Sequence, residues 1–189
     1  MIGFALGNGK SRAEIDIDVL KNIGKVYGCN AIYRDATPDI LISTDPPISK
    51  EIQDSGYPKN NVHYTRQPFN GSGSLQIDEI CRGWSSGPIA VRYACKECSK
   101  IFLLGFDLSS NDNFINNVYA GSYAYKSSNS PPTYYGNWVG QINRVLEEFT
   151  NVKFTRIVTN YTASPKEWAR FKNYNEMDLH IFKTWLNKH

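Results

Sequence analysis

The chain has 189 residues, with 21 Lys and Arg against 18 Asp and Glu and a formal net charge of +3. Hydrophobic residues make up 41% and aromatic residues 13%, enough for a packed core and unlike a disordered chain. The basic residues are scattered among the acids, which argues against the basic stripe of a dedicated nucleic-acid binder.

Ile2 to Leu6 is a short apolar run with the pattern of a buried strand. The stretch has no basic lead and no cleavage pattern, and no apolar run approaches the roughly 20 residues that span a bilayer. A cytoplasmic protein with no membrane span is expected. Gly7-Asn8-Gly9 forces a tight turn, Ser11 can cap, and Ile15, Val19 and Leu20 fall at helical spacing. Lys25 to Cys29 reads as a second strand ending at Asn30, and Asp39 to Thr44 as a third, introduced by Pro38 and ending at Asp45. Pro46 and Pro47 suit the first turn of a helix running to about Asp54. Val62 to Thr65 is a fourth strand candidate, followed by a glycine- and serine-rich loop from Asn70 to Ser74.

Ser85-Ser86-Gly87-Pro88 before Ile89, Ala90, Ala94 and Cys95 predicts a helix start. Ile101 to Leu104 is the next buried strand, closing on Gly105-Phe106-Asp107. Ser109 to Tyr135 is polar, aperiodic and long for a connection, as lids and binding loops are. Gly136 to Phe149 carries an amphipathic stripe of Val139, Ile142, Val145, Leu146 and Phe149. Phe154 to Val158 predicts a last strand and Met177 to Leu186 a C-terminal helix. Alternating strands and helices predict one α/β domain over residues 1–189, a Rossmann-like three-layer sandwich with a mostly parallel central sheet. Cys95 and Cys98 form a CxxC pair with no second pair to complete a zinc site, and reduced cysteines packed beside a strand are expected.

In such folds ligands collect at the carboxyl ends of the strands. Gly7, Asn8, Gly9 and Ser11 follow the first strand, Asn30 the second, Asp45 the third, and Gly105 and Asp107 the strand after the Ser86 helix. Glycine lets backbone N–H groups approach an oxyanion, and a following helix start adds free donors. GNGKS is neither GxGxxG nor the P-loop pattern. Asn30 can read a ribose or base edge, or end its strand in an Asx turn. Asp45 can hold Mg²⁺ or a ribose hydroxyl, or cap the helix behind it. Ser86 and Gly87 can donate to a phosphate, or simply cap. His63, His180 and His189 all lie away from the glycine-rich motif, although histidine is the commonest general base. Tyr123, Tyr125, Tyr134 and Tyr135 crowd the long loop, where they can bind substrate, orient a leaving phosphate or pack.

The strings LGNGKSRAEIDIDVL, YGCNAIYR and WSSGPIAVRYACKECSKIFLLGFDL resemble the bacterial sialyltransferases that use CMP-sialic acid, with their GNGPS-type turn, CN dipeptide, Ser-Gly helix and Gly-x-Asp strand end. PDILISTD and LLGFDL also resemble the related 6-hydroxymethylpterin diphosphokinase (MptE-like) family. The resemblance covers roughly the first 110 residues, more weakly reaches Phe149, and implies a Rossmann-like fold that binds a nucleotide. It implies that Asn8 and Gly9 face the phosphate and sugar, that Asn30 contacts the nucleoside, and that Ser86 and Gly87 line the same pocket. Two departures stand out: Lys10 replaces the proline of GNGPS, and Tyr134-Tyr135-Gly136-Asn137 stands where those sialyltransferases carry their histidine base.

Three readings follow. The first is a glycosyltransferase taking a CMP-sugar donor and a small-molecule or glycan acceptor, without a cofactor, with Asp107, Asp45 or an acidic residue of the long loop as base. The second is Mg²⁺-dependent pyrophosphate transfer from ATP, with Asp45 and Asp107 holding the metal. The third is a non-catalytic nucleotide-binding protein. Either Asn8→Ala or Gly9→Val is expected to weaken nucleotide binding with little loss of stability.

Overall fold

A computed structural model describes residues 1–110 and 112–189. Strand β1 (Ile2–Leu6) leads through a 3-10 turn at Lys10–Arg12 to helix α1 (Ile17–Ile23). Strand β2 (Lys25–Cys29), a 3-10 turn at Asn30–Arg34, β3 (Ile40–Ser43), α2 (Pro46–Asp54), β4 (His63–Thr65) and the short β5 (Leu75–Gln76) complete the first half. The second half runs α3 (Ser86–Ala94), β6 (Lys100–Leu104), α4 (Gly136–Glu148), β7 (Lys153–Val158), β8 (Tyr174–Asp178) and α5 (Leu179–Leu186). Between β6 and α4 the long polar segment forms no helix or strand among its described residues; Asn111 lies outside them.

The strands form one sheet in the order β5-β4-β3-β2-β1-β6-β7-β8, and every neighbouring pair is parallel. The chain builds outward from β1 in one direction, then returns to the other side of β1 with β6. That reversal opens a crevice at the carboxyl ends of β1 and β6, where open α/β sheets take their ligands.

The strand pleat sorts the core into two layers. Ala5, Tyr27, Ile42, Ile101 and Leu103 face α3 and α4, together with Ile89, Ile142 and Leu146. Phe4, Leu6, Val26, Leu41, Phe102 and Leu104 face the opposite way, onto Leu20 of α1, Ile48 and Ile52 of α2, and Phe182 of α5. Strands buried on both faces explain why β1, β3 and β6 read as continuous apolar runs. The fold is α/β, a Rossmann-like three-layer sandwich whose sheet is wholly parallel.

Three local expectations differ. The helix after the glycine turn begins at Ile17, not at Ser11, and its cap is Asp16, whose side chain accepts from the Asp18 amide at 2.9 Å. Met177 lies in β8, and the C-terminal helix begins at Leu179 behind Asp178, which accepts from the His180 amide at 2.7 Å. Strands β5 and β8 sit at the sheet edges, where Leu75, Gln76, Asn175 and Glu176 are exposed. Edge exposure removes the apolar signal that a buried strand carries.

Candidate functional site

The floor of the crevice is made where two turns cross. The Gly7 amide donates to the Leu104 carbonyl at 2.8 Å and the Gly9 amide to the Gly105 carbonyl at 2.9 Å. A Cβ on Gly7 would stand 2.5 Å from the Gly105 oxygen, and one on Gly9 would stand 2.6 Å from Asp107 Oδ2. Gly105 itself has φ +72°, in the left-handed region. These glycines therefore let two backbones touch. This overturns the expectation that Gly9→Val leaves stability nearly unchanged.

Asp107 is 3% exposed and its two oxygens are both engaged by Ser11. The Ser11 amide donates to Oδ2 at 3.0 Å and its hydroxyl donates to Oδ1. Residues 10–12 form a 3-10 turn and α1 begins only at Ile17, so no α-helix N-terminus stands directly behind the glycines. Ser11 is buried under the floor, while Asp107 reaches the cavity wall.

A second polar cluster joins the ends of β2, β3 and α3. Ser86 Oγ donates to Asn30 Oδ1 at 2.8 Å and accepts from the Thr44 amide at 3.0 Å. Asn30 Nδ2 in turn donates to Asp45 Oδ2 at 3.5 Å. Asn30 holds φ +53°, a conformation its short amide side chain tolerates better than most. Asp45 occupies the cap position of α2, where Pro46 and Pro47 supply no N–H, and its side chain makes no capping bond. Its carboxylate is exposed to the cavity.

Asn8 is held from both sides: Nδ2 donates to the Cys29 carbonyl at 3.3 Å, and Oδ1 accepts from Arg12 at 3.3 Å. Arg12 is itself buried, donating also to the Gly7 carbonyl at 2.8 Å and to the Tyr119 hydroxyl at 3.0 Å. Tyr119 donates to Asp35 at 2.5 Å. Arg12 and Tyr119 thus strap the long segment onto the glycine turn. Sequence reasoning gave neither a role: Arg12 stands just past the glycine turn of the quoted string, and Tyr119 lies in the aperiodic segment.

The four loop tyrosines separate. Tyr125 lines the cavity, and its hydroxyl accepts from the Ala31 amide at 3.2 Å. Tyr135 also lines it, with its hydroxyl buried and without a partner among the described residues. Burial raises the pKa of both phenols, and the charges of Asp107 and Asp112 add to the effect at Tyr135. Both are neutral hydrogen-bond donors at physiological pH. Tyr134 lies on the rim, largely exposed. Tyr123 is 68% exposed and does not line the cavity; its carbonyl accepts from Arg34 at 3.1 Å.

Two helix starts open on the space between these groups. Neither α3 nor α4 has a side-chain cap, and the N–H groups of Ser86, Gly87 and Asn137 have no acceptor among the described residues. The cavity measures about 430 Å³ and takes in Gly7, Asn8, Gly9, Asn30, Asp45 and Gly87 as well as the tyrosines above. Phe106, Leu108 and Trp138 supply apolar wall. Neither a protein-family model nor a curated protein nor a solved structure matches this chain. The chemistry of the cavity is therefore read from its own residues.

Among the described residues no histidine lines the cavity, and Cys29, which does, holds Asn8 through its backbone carbonyl. His63 is fully buried, with Nε2 bonded to Ser43 Oγ at 2.7 Å and Nδ1 to Ser74 Oγ at 2.8 Å. Desolvation pushes its pKa down to about 4, so the ring is neutral. All four cysteines are free and buried, and burial pushes the Cys29 thiol up to about 12. Burial also raises Cys95 and Cys98, which makes the CxxC pair unreactive packing thiols.

Proposed function

We propose that this chain binds a nucleotide in the crevice between β1 and β6 and acts as a transferase using a CMP-sugar donor. The observation that carries the reading is the convergence of Asn8, Asn30, Ser86 and Gly87 on one cavity at the point where the sheet reverses direction. These are the positions that the resemblance to the CMP-sialic acid sialyltransferases selects. The open N–H groups at α3 and α4 suit a phosphate oxyanion, because aligned peptide dipoles and free donors act together there. Tyr125 and Tyr135, kept neutral because burial raises their pKa, suit a leaving phosphate as O–H hydrogen-bond donors.

Asp107 already accepts from Ser11 on both oxygens and serves best as the post that fixes the glycine turn. Asp45 is the accessible carboxylate and the better base for activating an acceptor hydroxyl. Its free position also supports a second reading, Mg²⁺-dependent pyrophosphate transfer from ATP. Asp45 would then hold the ion jointly with the phosphates, as Mg²⁺ sites with few carboxylates do. Among the described residues no three His, Cys, Asp or Glu groups stand together, so a cage made by protein alone does not fit.

Thermal-shift measurements with CMP, CMP-sialic acid, UDP, GDP and ATP, each with and without Mg²⁺, separate the readings. Stabilisation by cytidine nucleotides without metal supports the sugar transferase. Stabilisation by ATP that needs Mg²⁺ and disappears in Asp45→Ala supports pyrophosphate transfer. No shift with any nucleotide overturns both.

A further inference from the structure

A second, more polar cavity of about 310 Å³ lies beside the first. It is walled by Arg82 and Trp84 from the loop before α3, and by Asn137, Gly140, Gln141 and Arg144 from one face of α4. The spacing of these α4 residues puts them opposite the buried stripe of Ile142, Val145 and Leu146. Asn137 lines both cavities, and the Ser85 amide donates to Gln141 Oε1 at 2.8 Å, so the two share a wall. That bond uses the oxygen of Gln141, and its NH₂ has no acceptor among the described residues.

The charge lining this groove is one-sided: among the described residues it takes in Arg82 and Arg144 and no carboxylate. The acids of α4 are committed elsewhere: Glu147 pairs with Arg170 and Glu148 with Arg92. Arg144 is exposed and has no ion pair among the described residues. Arg82 pairs with Glu79 at 3.1 Å, but both side chains are more than four-fifths exposed, so the pair is weak and easily exchanged. A Cβ on Gly140 would meet nothing within 4 Å, which leaves the middle of the groove open.

We infer that the groove between Arg82 and Arg144 holds an anionic group, a carboxylate or an equivalent oxyanion, on the acceptor that enters the main cavity. The acceptor is then an acidic sugar or similar acid, selected over a neutral one. Two guanidinium groups and an amide donor lining one groove match an oxyanion by charge-assisted hydrogen bonds. This selection rests on the transferase reading; the affinity of the groove for an anion does not.

The test is a ¹⁵N-labelled titration of the intact chain with glucuronate and, separately, with glucose, following the Gln141 side-chain amide and the Gly83 and Gly140 amides. Glucuronate should shift these signals saturably and more weakly in added salt, while glucose should not. Arg144→Gln, at an exposed position, should weaken glucuronate binding about tenfold, as loss of one charge-assisted contact does. Gly140→Glu, which fills open space with a negative charge, should abolish it and leave stabilisation by CMP intact. Equal response to glucuronate and glucose, or unchanged binding in Arg144→Gln, overturns the inference. If no nucleotide binds while the glucuronate response still depends on Arg144, the groove stands and the nucleotide reading falls.

Discussion

Ser11 donates to both oxygens of Asp107, its amide to Oδ2 at 3.0 Å and its hydroxyl to Oδ1, across 96 positions of sequence. The pair ties the turn after β1 to the turn after β6, and so sets the width of the crevice floor. Ser11→Ala should remove one charge-assisted bond and leave a 3% exposed carboxylate partly unsatisfied. A loss of about 1–3 kcal/mol in urea unfolding is expected. A variant as stable as the parent would show that the floor does not depend on this bond.

Gly9→Val should be worse folded, not merely a poorer binder. Its Cβ would sit 2.6 Å from Asp107 Oδ2 and 2.7 Å from the Gly105 carbonyl, and the second of these is backbone that cannot swing aside. The cost should reach about 1–3 kcal/mol or more, as overpacking does elsewhere. Differential scanning calorimetry without ligand decides it, since a pure binding defect leaves the apo Tm in place.

Tyr119→Phe should loosen the long segment. The hydroxyl lost in this variant accepts from Arg12 at 3.0 Å and donates to Asp35 at 2.5 Å. Arg12 stays buried with one partner fewer, at a cost of about 1–2 kcal/mol. Limited proteolysis should cut faster between residues 109 and 135, with the sheet still protected. Identical cleavage rates would mean that the strap is held by the Arg34 bonds to Ser122 and to the Tyr123 carbonyl instead.

His63 should make the fold acid-sensitive before the carboxylates do. Its folded pKa is pushed down to about 4, against about 6.5 for the free side chain. Between those values the unfolded chain takes up a proton that the folded chain refuses. Stability is therefore complete above about pH 6.5 and falls as pH drops, by about 1.4 kcal/mol per unit down to about pH 4. An imidazole NMR titration reports the folded value directly. A midpoint near 6.5 in the native protein would contradict the buried, serine-bridged ring.

The sequence specifies the layers. Runs such as Ile2–Leu6, Ile40–Ser43 and Lys100–Leu104 are apolar throughout or nearly so because both faces of each strand are covered, and Pro46, Ser86 and the stripe from Val139 to Leu146 mark three helices by local chemistry alone. It also brought Asn8, Asn30, Asp45, Ser86, Gly87 and Asp107 to one end of the sheet, because parallel strands turn back at the same edge. Tertiary structure decided the rest. Strand β8, with the sequence YNEMD, pairs at an exposed edge where apolar periodicity has no cause to exist. The division of Tyr125 from Tyr123 and the burial of Arg12 against Tyr119 depend on how an aperiodic segment folds over the strand ends. Local pattern records which side of an element is buried. Which distant side chain completes a buried hydrogen bond is fixed only when the register and the loop path are fixed, and Ser11 therefore finds Asp107 only in the folded chain.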